Sequence, residues 1–292
     1  MDSEKVKVKE VLDPKSIAIT TITFYPDWQG SDRPETSNEI RGNKALETIR
    51  EATNRGYFVT ICDGGSSEKW LNRAKSLGAS IFRQQDLTAS GARRQALREA
   101  SSLSGVKIVC WMEPEKVSLI TTAFPEVLLP IARMETDIIV PKRDRETLKT
   151  YPNYQVDIEN RANKLWNNIL REHGLLPDNT EELDVWFGPK FFRNDPRILN
   201  LFLARYEIDR PKTGYYKDID PEDWANTVIL PVAAALKEGF KVKSVTVPYV
   251  HPKEQTELEE KEEKTFRKKR SLQFRSIISS TINYIRLIEN TK

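Results

Sequence analysis

Glu113-Pro114-Glu115 follows the apolar run "VKIVCWM" and sets two carboxylates around a proline. The residue before a proline is pushed toward extended backbone. In an extended chain, positions i and i+2 share a side, roughly 7 Å apart. The pair could therefore face one divalent cation, or one cation-bound polyphosphate, together. Mg2+ and Mn2+ take such hard oxygen ligands. The plainer alternative is a buried strand ending in a polar loop. Similar residues recur after other strand-like runs. Tyr25 and Asp27 follow the first, and Asp63-Gly64-Gly65-Ser66 the second. Asp86, Gly91, Arg93 and Arg94 follow the third. Carboxylates, two arginines and glycines that admit close backbone approach suit a phosphate-bearing ligand with a bound cation.

The elements that must position these groups alternate. "SIAITTITFY" reads as a buried β-branched strand, and 38–55 as a helix stopped by Gly56. A strand over 57–63 then leads to a short helix over 68–77, stopped by Gly78. "ASIFRQQ" is the third strand, 89–102 the third helix and 106–112 the fourth strand. Strands alternating with helices at short spacing predict an α/β fold with a mainly parallel sheet. In such a sheet ligands bind beyond the carboxyl ends of the strands, where the residues above fall. The second half predicts a strand over 136–143, a helix over 157–172 and strand character broken at Gly188-Pro189. A helix over 223–238 and a strand over 240–252 follow. A charge run over 253–270 precedes an apolar stripe of Phe274, Ile277, Ile278, Ile282 and Ile285 at helical spacing.

Composition bounds the rest. The 292 residues suffice for a substantial core, and 38% hydrophobic with 30% charged excludes whole-chain disorder. A net charge of +3 implies no global nucleic-acid field. Cys62 and Cys110 sit inside apolar runs and read as buried free thiols of a reducing compartment. With no apolar leader and no spanning stretch, the expected location is the cytoplasm.

The order strand, helix, "ICDGGSS", helix, strand, "ASGARRQALREA", strand, acidic pair resembles the nucleotide-binding half of GT-A-fold glycosyltransferases, family 2 above all. The resemblance covers residues 16–116. It implies a GT-A-like nucleotide-binding fold with a mainly parallel central sheet, and a transferase moving a sugar, of hexosyl type, from a UDP- or GDP-sugar to a hydroxyl-bearing acceptor. It further implies that Tyr25 and Asp63 meet the nucleoside and that Gly91 with Arg93 or Arg94 faces the diphosphate. Glu113 and Glu115 would hold Mn2+ or Mg2+, with His251 as a third ligand. Asp223, or Glu222 beside it, would be the general base that takes the acceptor proton. Glutamate stands at both positions where the family carries aspartate, one methylene longer. The alternatives are Pro221-Glu222-Asp223 as a plain acidic helix start and His251 as a surface histidine. Asp63, if only a turn carboxylate, is expected to cost no more than about 0.5 kcal/mol on removal.

Two other classes compete. A nucleotidyltransferase acting on a sugar phosphate wants a Gly-rich basic loop after the first strand, where this chain has only Gly30 and Arg33. A non-catalytic GT-A-like binding protein is open, since fold alone does not fix activity. The expected organisation is a charged lead-in over 1–15, a transferase domain over 16–252 and a C-terminal helical extension over 253–292. The transferase domain divides into a nucleotide half, 16–116, and an acceptor half, 117–252. The extension is expected to dock on protein, on this domain or in a homodimer. A peripheral membrane role is disfavoured because the basic residues precede the apolar stripe instead of flanking it.

Overall fold

The computed structural model describes residues 12–206 and 227–289. Glu222 and Asp223 lie outside the described residues. The centre is a seven-stranded sheet in the order β3-β2-β1-β4-β6-β5-β7. Its strands are β1 (Ile17–Thr23), β2 (Phe58–Asp63), β3 (Ser80–Arg83), β4 (Ile108–Trp111), β5 (Ile138–Arg143), β6 (Lys190–Arg193) and β7 (Val242–Val247). Every pairing is parallel except those of β6, which runs antiparallel to both β4 and β5. This is the expected α/β architecture with a mainly parallel sheet.

Alternation along β1 shows why the sheet is covered on both faces. Ile17 and Ile19 pack with Ala45, Ile49 and Trp70, whereas Ala18 packs with Ala92, Ala96 and Phe192. Those partners come from helices α1 (Ser37–Asn54), α2 (Glu68–Ser76) and α3 (Ala89–Ser101). Each of the three begins on a hydroxyl cap. Thr36, Ser67 and Thr88 accept the backbone N–H three residues on, from Glu39, Trp70 and Gly91. The sequence therefore encodes where each helix leaves the carboxyl edge of the sheet. Cys62 and Cys110 are buried free thiols, as expected. Burial pushes Cys62 up to about 12 and Cys110 well above its ordinary range.

The later helices are α4 (Leu129–Ala132), α5 (Arg145–Leu148), α6 (Asn153–Glu172), α7 (Pro196–Leu203), α8 (Leu230–Lys237), α9 (Lys253–Lys261) and α10 (Glu263–Glu289). α6 starts four residues before the expected Asp157, directly after Pro152. The expected basic run and apolar stripe form one helix, α10. Its Ile277, Ile278 and Ile285 are buried with Ala162, Trp166 and Leu230, so the stripe docks on this chain's own core. Among the described residues no helix is long and apolar enough to cross a membrane.

One ionic network spans β5, α6 and α10. Arg143 donates from Nε and Nη2 to the two oxygens of Asp184 (2.8 and 2.9 Å) and from Nη1 to Glu159 (2.6 Å). Asn163 also donates to Asp184 (2.6 Å), and Arg270 lies 3.5 Å from Glu159. Burial alone would raise the Asp184 carboxyl. The Arg143 guanidinium outweighs it and holds the group below its ordinary range.

Removing one partner of such a pair leaves a buried charge uncompensated. Asp184→Ala is expected to lower the unfolding free energy by about 3–5 kcal/mol in urea titrations. A carboxyl depressed in the folded state stabilises fully above its unfolded value near about 3.9 and loses that contribution as pH falls through the folded value. The parent should therefore lose stability in acid below about pH 4 more steeply than Asp184→Asn.

Candidate functional site

The carboxyl edge carries two cavities that meet at the Glu113-Pro114-Glu115 segment. The first is a cleft of about 910 Å³ bordered by Phe24, Tyr25, the Asp63–Ser66 turn, Arg83 and Pro114. The second is a pocket of about 200 Å³ bordered by Arg93, Glu113, Glu115, Lys116, Tyr151 and His251, with Lys269 and Arg270 of α10 on its rim. Arg41 borders both. The segment is thus the ridge between them: its proline faces the cleft and its carboxylates face the pocket.

Asp63 is not the dispensable turn carboxylate expected above. It is 5% exposed, and both oxygens are engaged. Oδ1 accepts Gly65 N–H (2.8 Å) and Ser66 N–H (2.9 Å). Oδ2 accepts the hydroxyls of Thr23 (2.7 Å) and Ser66 (2.5 Å). The β1–β2 register sets Thr23 beside Asp63, so the side chain binds two strand ends and shapes the glycine turn. Its effect on any ligand in the cleft is therefore exerted together with this structural work.

Tyr25 is buried, its ring 5.1 Å from that of Trp70, and its hydroxyl donates to Glu115 Oε1 (3.0 Å). Burial and then the Glu115 charge push the Tyr25 phenol well above its ordinary value. The aromatic face open to the cleft is Phe24, 62% exposed beside the Gly64-Gly65 turn. A Cβ on Gly64 or Gly65 would lie 3.6 or 3.7 Å from the Phe24 ring.

Of the two arginines, Arg93 borders the pocket, its guanidinium 5.8 Å from the Trp111 ring centre. Arg94 is buried and donates to the Ala204 carbonyl (3.2 Å). Consecutive helical residues point about 100° apart, so only one of the pair reaches the cavity. Gly91 serves a local approach: a Cβ there would stand 2.1 Å from the Asp86 carboxyl carbon. Asp86 in turn accepts the N–H and hydroxyl of Thr88, the cap of α3.

Glu115 is 4% exposed and accepts from Tyr25 and from Arg41 Nε (2.7 Å), both on Oε1. Glu115 is the main cause that raises the Arg41 guanidinium further. Glu113 Oε2 is buried without a hydrogen-bond partner. Its other oxygen occupies the space a Cβ on Gly188 would need, 2.1 Å away, and Gly188 has φ +100°. Beneath lies Lys190, fully buried and donating to the carbonyls of Val185 (3.2 Å) and Gly188 (3.0 Å). Burial pulls it down to about 7, with Glu113 opposing. His251 stacks on Tyr151 at 4.2 Å, is 3.7 Å from Glu259, and burial lowers its pKa.

Among the described residues no three His, Cys, Asp or Glu side chains gather to hold a metal on their own. The donor set suits a different arrangement. Mg2+-type ions are often held by one or two carboxylates, with substrate phosphates and waters completing the shell. The unpartnered Glu113 Oε2 at the mouth between the cavities, beside Glu115, matches that need.

Lys116, Arg41, Arg143, Tyr151 and Lys269 belong to the site but were not singled out from sequence. Lys116 follows the acidic pair directly and Arg143 closes β5, so strand-end position was a usable signal for both. Nothing local marks Arg41 or Tyr151.

No family model matches the chain, and no curated protein matches it in sequence. Solved structures do match in fold. Glucosyl-3-phosphoglycerate synthase from Mycobacterium tuberculosis, in complex with Mn2+, UDP and glucosyl-3-phosphoglycerate, superposes with a TM-score of 0.55. The match has 10% identity and covers 96% of this chain and 83% of that one. The same enzyme with Mn2+, UDP-glucose and phosphoglyceric acid gives 0.54 at 12% identity, with the same coverage. The chain therefore has a GT-A-like fold, that of nucleotide-diphospho-sugar transferases.

Asp63→Ala is expected to destabilise the fold by about 2–3 kcal/mol, since it strands two hydroxyls and two N–H groups in a buried turn. Chemical denaturation checks this; a loss under about 0.5 kcal/mol would return Asp63 to the surface-turn class.

Proposed function

We propose that the chain is a metal-dependent glycosyltransferase that moves a sugar, of hexosyl type, from a nucleotide-sugar donor to a hydroxyl acceptor. The observation that carries this reading is the pair of cavities meeting across Glu113-Pro114-Glu115 at the carboxyl edge of a GT-A-like sheet. The larger cleft suits the nucleoside of a UDP- or GDP-sugar, with Phe24 and Tyr25 on one wall and the Asp63 turn on another. The smaller pocket suits the sugar and the acceptor. The structural neighbours bind UDP with Mn2+, which supports Mn2+ or Mg2+ as the cofactor here.

In this reading Glu113 and Glu115 hold the cation, and His251 faces it from the far wall of the pocket. When bound, the cation neutralises charge on the departing diphosphate. Arg93 and Arg41 add positive charge on the same side. The acceptor hydroxyl oxygen attacks the anomeric carbon, the bond from that carbon to the diphosphate breaks, and the hydroxyl proton passes to a base. Asp223, with Glu222 as the second candidate, is that base in the proposal. Arg41 and Tyr25 orient Glu115 through its Oε1.

UDP or GDP with Mn2+ is expected to stabilise the intact chain by about 2–3 kcal/mol at a hundredfold excess over Kd, read as a thermal shift. Glu113→Ala should abolish the metal-dependent part of that shift. The proposal fails if no nucleoside diphosphate stabilises the parent in a metal-dependent way, or if the variant responds to metal like the parent.

A further inference from the structure

Lys116 poses a charge problem that the transfer chemistry above does not use. Its side chain is buried, 9% exposed, on the wall of the small pocket. The ammonium lies 4.9 Å from the Phe187 ring centre and 4.8 Å from that of Tyr249. Among the described residues no carboxylate comes within 4.0 Å of it. Two ring faces offset only part of the cost of removing an ammonium from water.

The acids nearby are already engaged. Glu115 serves Arg41 and Tyr25; Glu159 serves Arg143, Gln155 and Arg270. From the opposite rim α10 adds Lys269, which likewise has no carboxylate partner among the described residues. Neutral groups of the same walls are also unmatched. The Tyr151 hydroxyl, Gln155 Oε1 and both ring nitrogens of His251 are buried and lack a hydrogen-bond partner in the protein. Buried polar groups are ordinarily paired, and here they cluster around one small cavity. Its volume of about 200 Å³ equals about seven liquid waters at roughly 30 Å³ each. That admits a short-chain molecule and excludes an oligosaccharide or a peptide.

We infer that the acceptor taken by this pocket is a small hydroxylated acid, a short polyol bearing one phosphate or carboxylate. Lys116 and Lys269 meet its charge, while Tyr151, Gln155 and His251 meet its hydroxyls. This rests on the transferase reading for the word acceptor, but the anion site itself does not. Recognition draws on β4, the loop after β7 and α10 together, so the C-terminal helix is a specificity element of the site.

The test is isothermal titration of the intact chain with sn-glycerol 3-phosphate, D-glycerate, glycerol and inorganic phosphate, and separately with UDP and Mn2+. One of the two acids is expected to bind, and which one binds distinguishes phosphate from carboxylate. Glycerol should not bind at the same concentrations, and inorganic phosphate should bind more weakly than the acid. Lys116→Met, which keeps the buried stem, should weaken the acid by about tenfold or more. Lys269→Gln, at an exposed helix position, tests the same charge without risk to the core and should weaken it by about threefold or more. Both variants should keep UDP–Mn2+ affinity within about twofold of the parent. The inference is overturned if neither acid binds, if glycerol or inorganic phosphate binds as well as the acid, or if both variants keep the parent's affinity. Acid binding without UDP–Mn2+ binding would sink the transferase reading and leave the anion site standing. The converse would sink the anion site alone.

Discussion

Glu115 joins three elements through one oxygen. Its Oε1 accepts the Tyr25 hydroxyl from the end of β1 and the Arg41 guanidinium from α1, while its backbone follows β4. The cleft and the pocket share this point, so the shape of each depends on it. Carboxylate–arginine and carboxylate–phenol bonds are charge-assisted and directional. They hold the ridge between the cavities at a place where no regular secondary structure does. Arg41 is the more exposed partner, with 41% of its side chain open to solvent. The pair's worth therefore lies in fixing geometry more than in net stability.

Behind the ridge, the floor of the pocket is ionic instead of apolar. Arg143 bridges Asp184 and Glu159, and Arg270 approaches from α10. An apolar core of the same volume would often be at least as stable. What the network contributes is registration: β5, α6, the loop carrying Asp184 and α10 meet in the one arrangement that satisfies its charges. Lys190 under Glu113 follows the same logic. It is fully buried, and its ammonium ties together the turn around Gly188 that Glu113 needs for space.

Much of this was legible in the residue order. Three Ser or Thr caps and the glycine stops marked where helices leave and rejoin the sheet, and β-branched runs marked the strands. The carboxyl-edge placement of Asp63, Arg93, Glu113 and Glu115 followed from strand order, because a parallel sheet sends every strand end to one side. Which neighbour faces the cavity was less legible. Tyr25 and Phe24 exchange the roles that a solvent-facing reading of Tyr25 implied, because Trp70 and Glu115 claim the tyrosine. Asp63 acts as the structural centre of its turn because Thr23 of the adjacent strand lies within reach.

Sequence alone determined the periodicities, the caps and the chemical inventory of each loop, since these depend on residues within a few positions of one another. Tertiary structure decided the rest. Arg41, Tyr151, Lys269 and Arg270 enter the pocket from segments up to more than two hundred residues apart, and no local pattern records that convergence. The same holds for Lys116: its sequence neighbours make it look like a solvated loop lysine. Only the rings of Phe187 and Tyr249, brought over it by β6 and β7, turn it into a buried cation without a counter-ion. Charge is encoded residue by residue, but desolvation is a property of the packed whole.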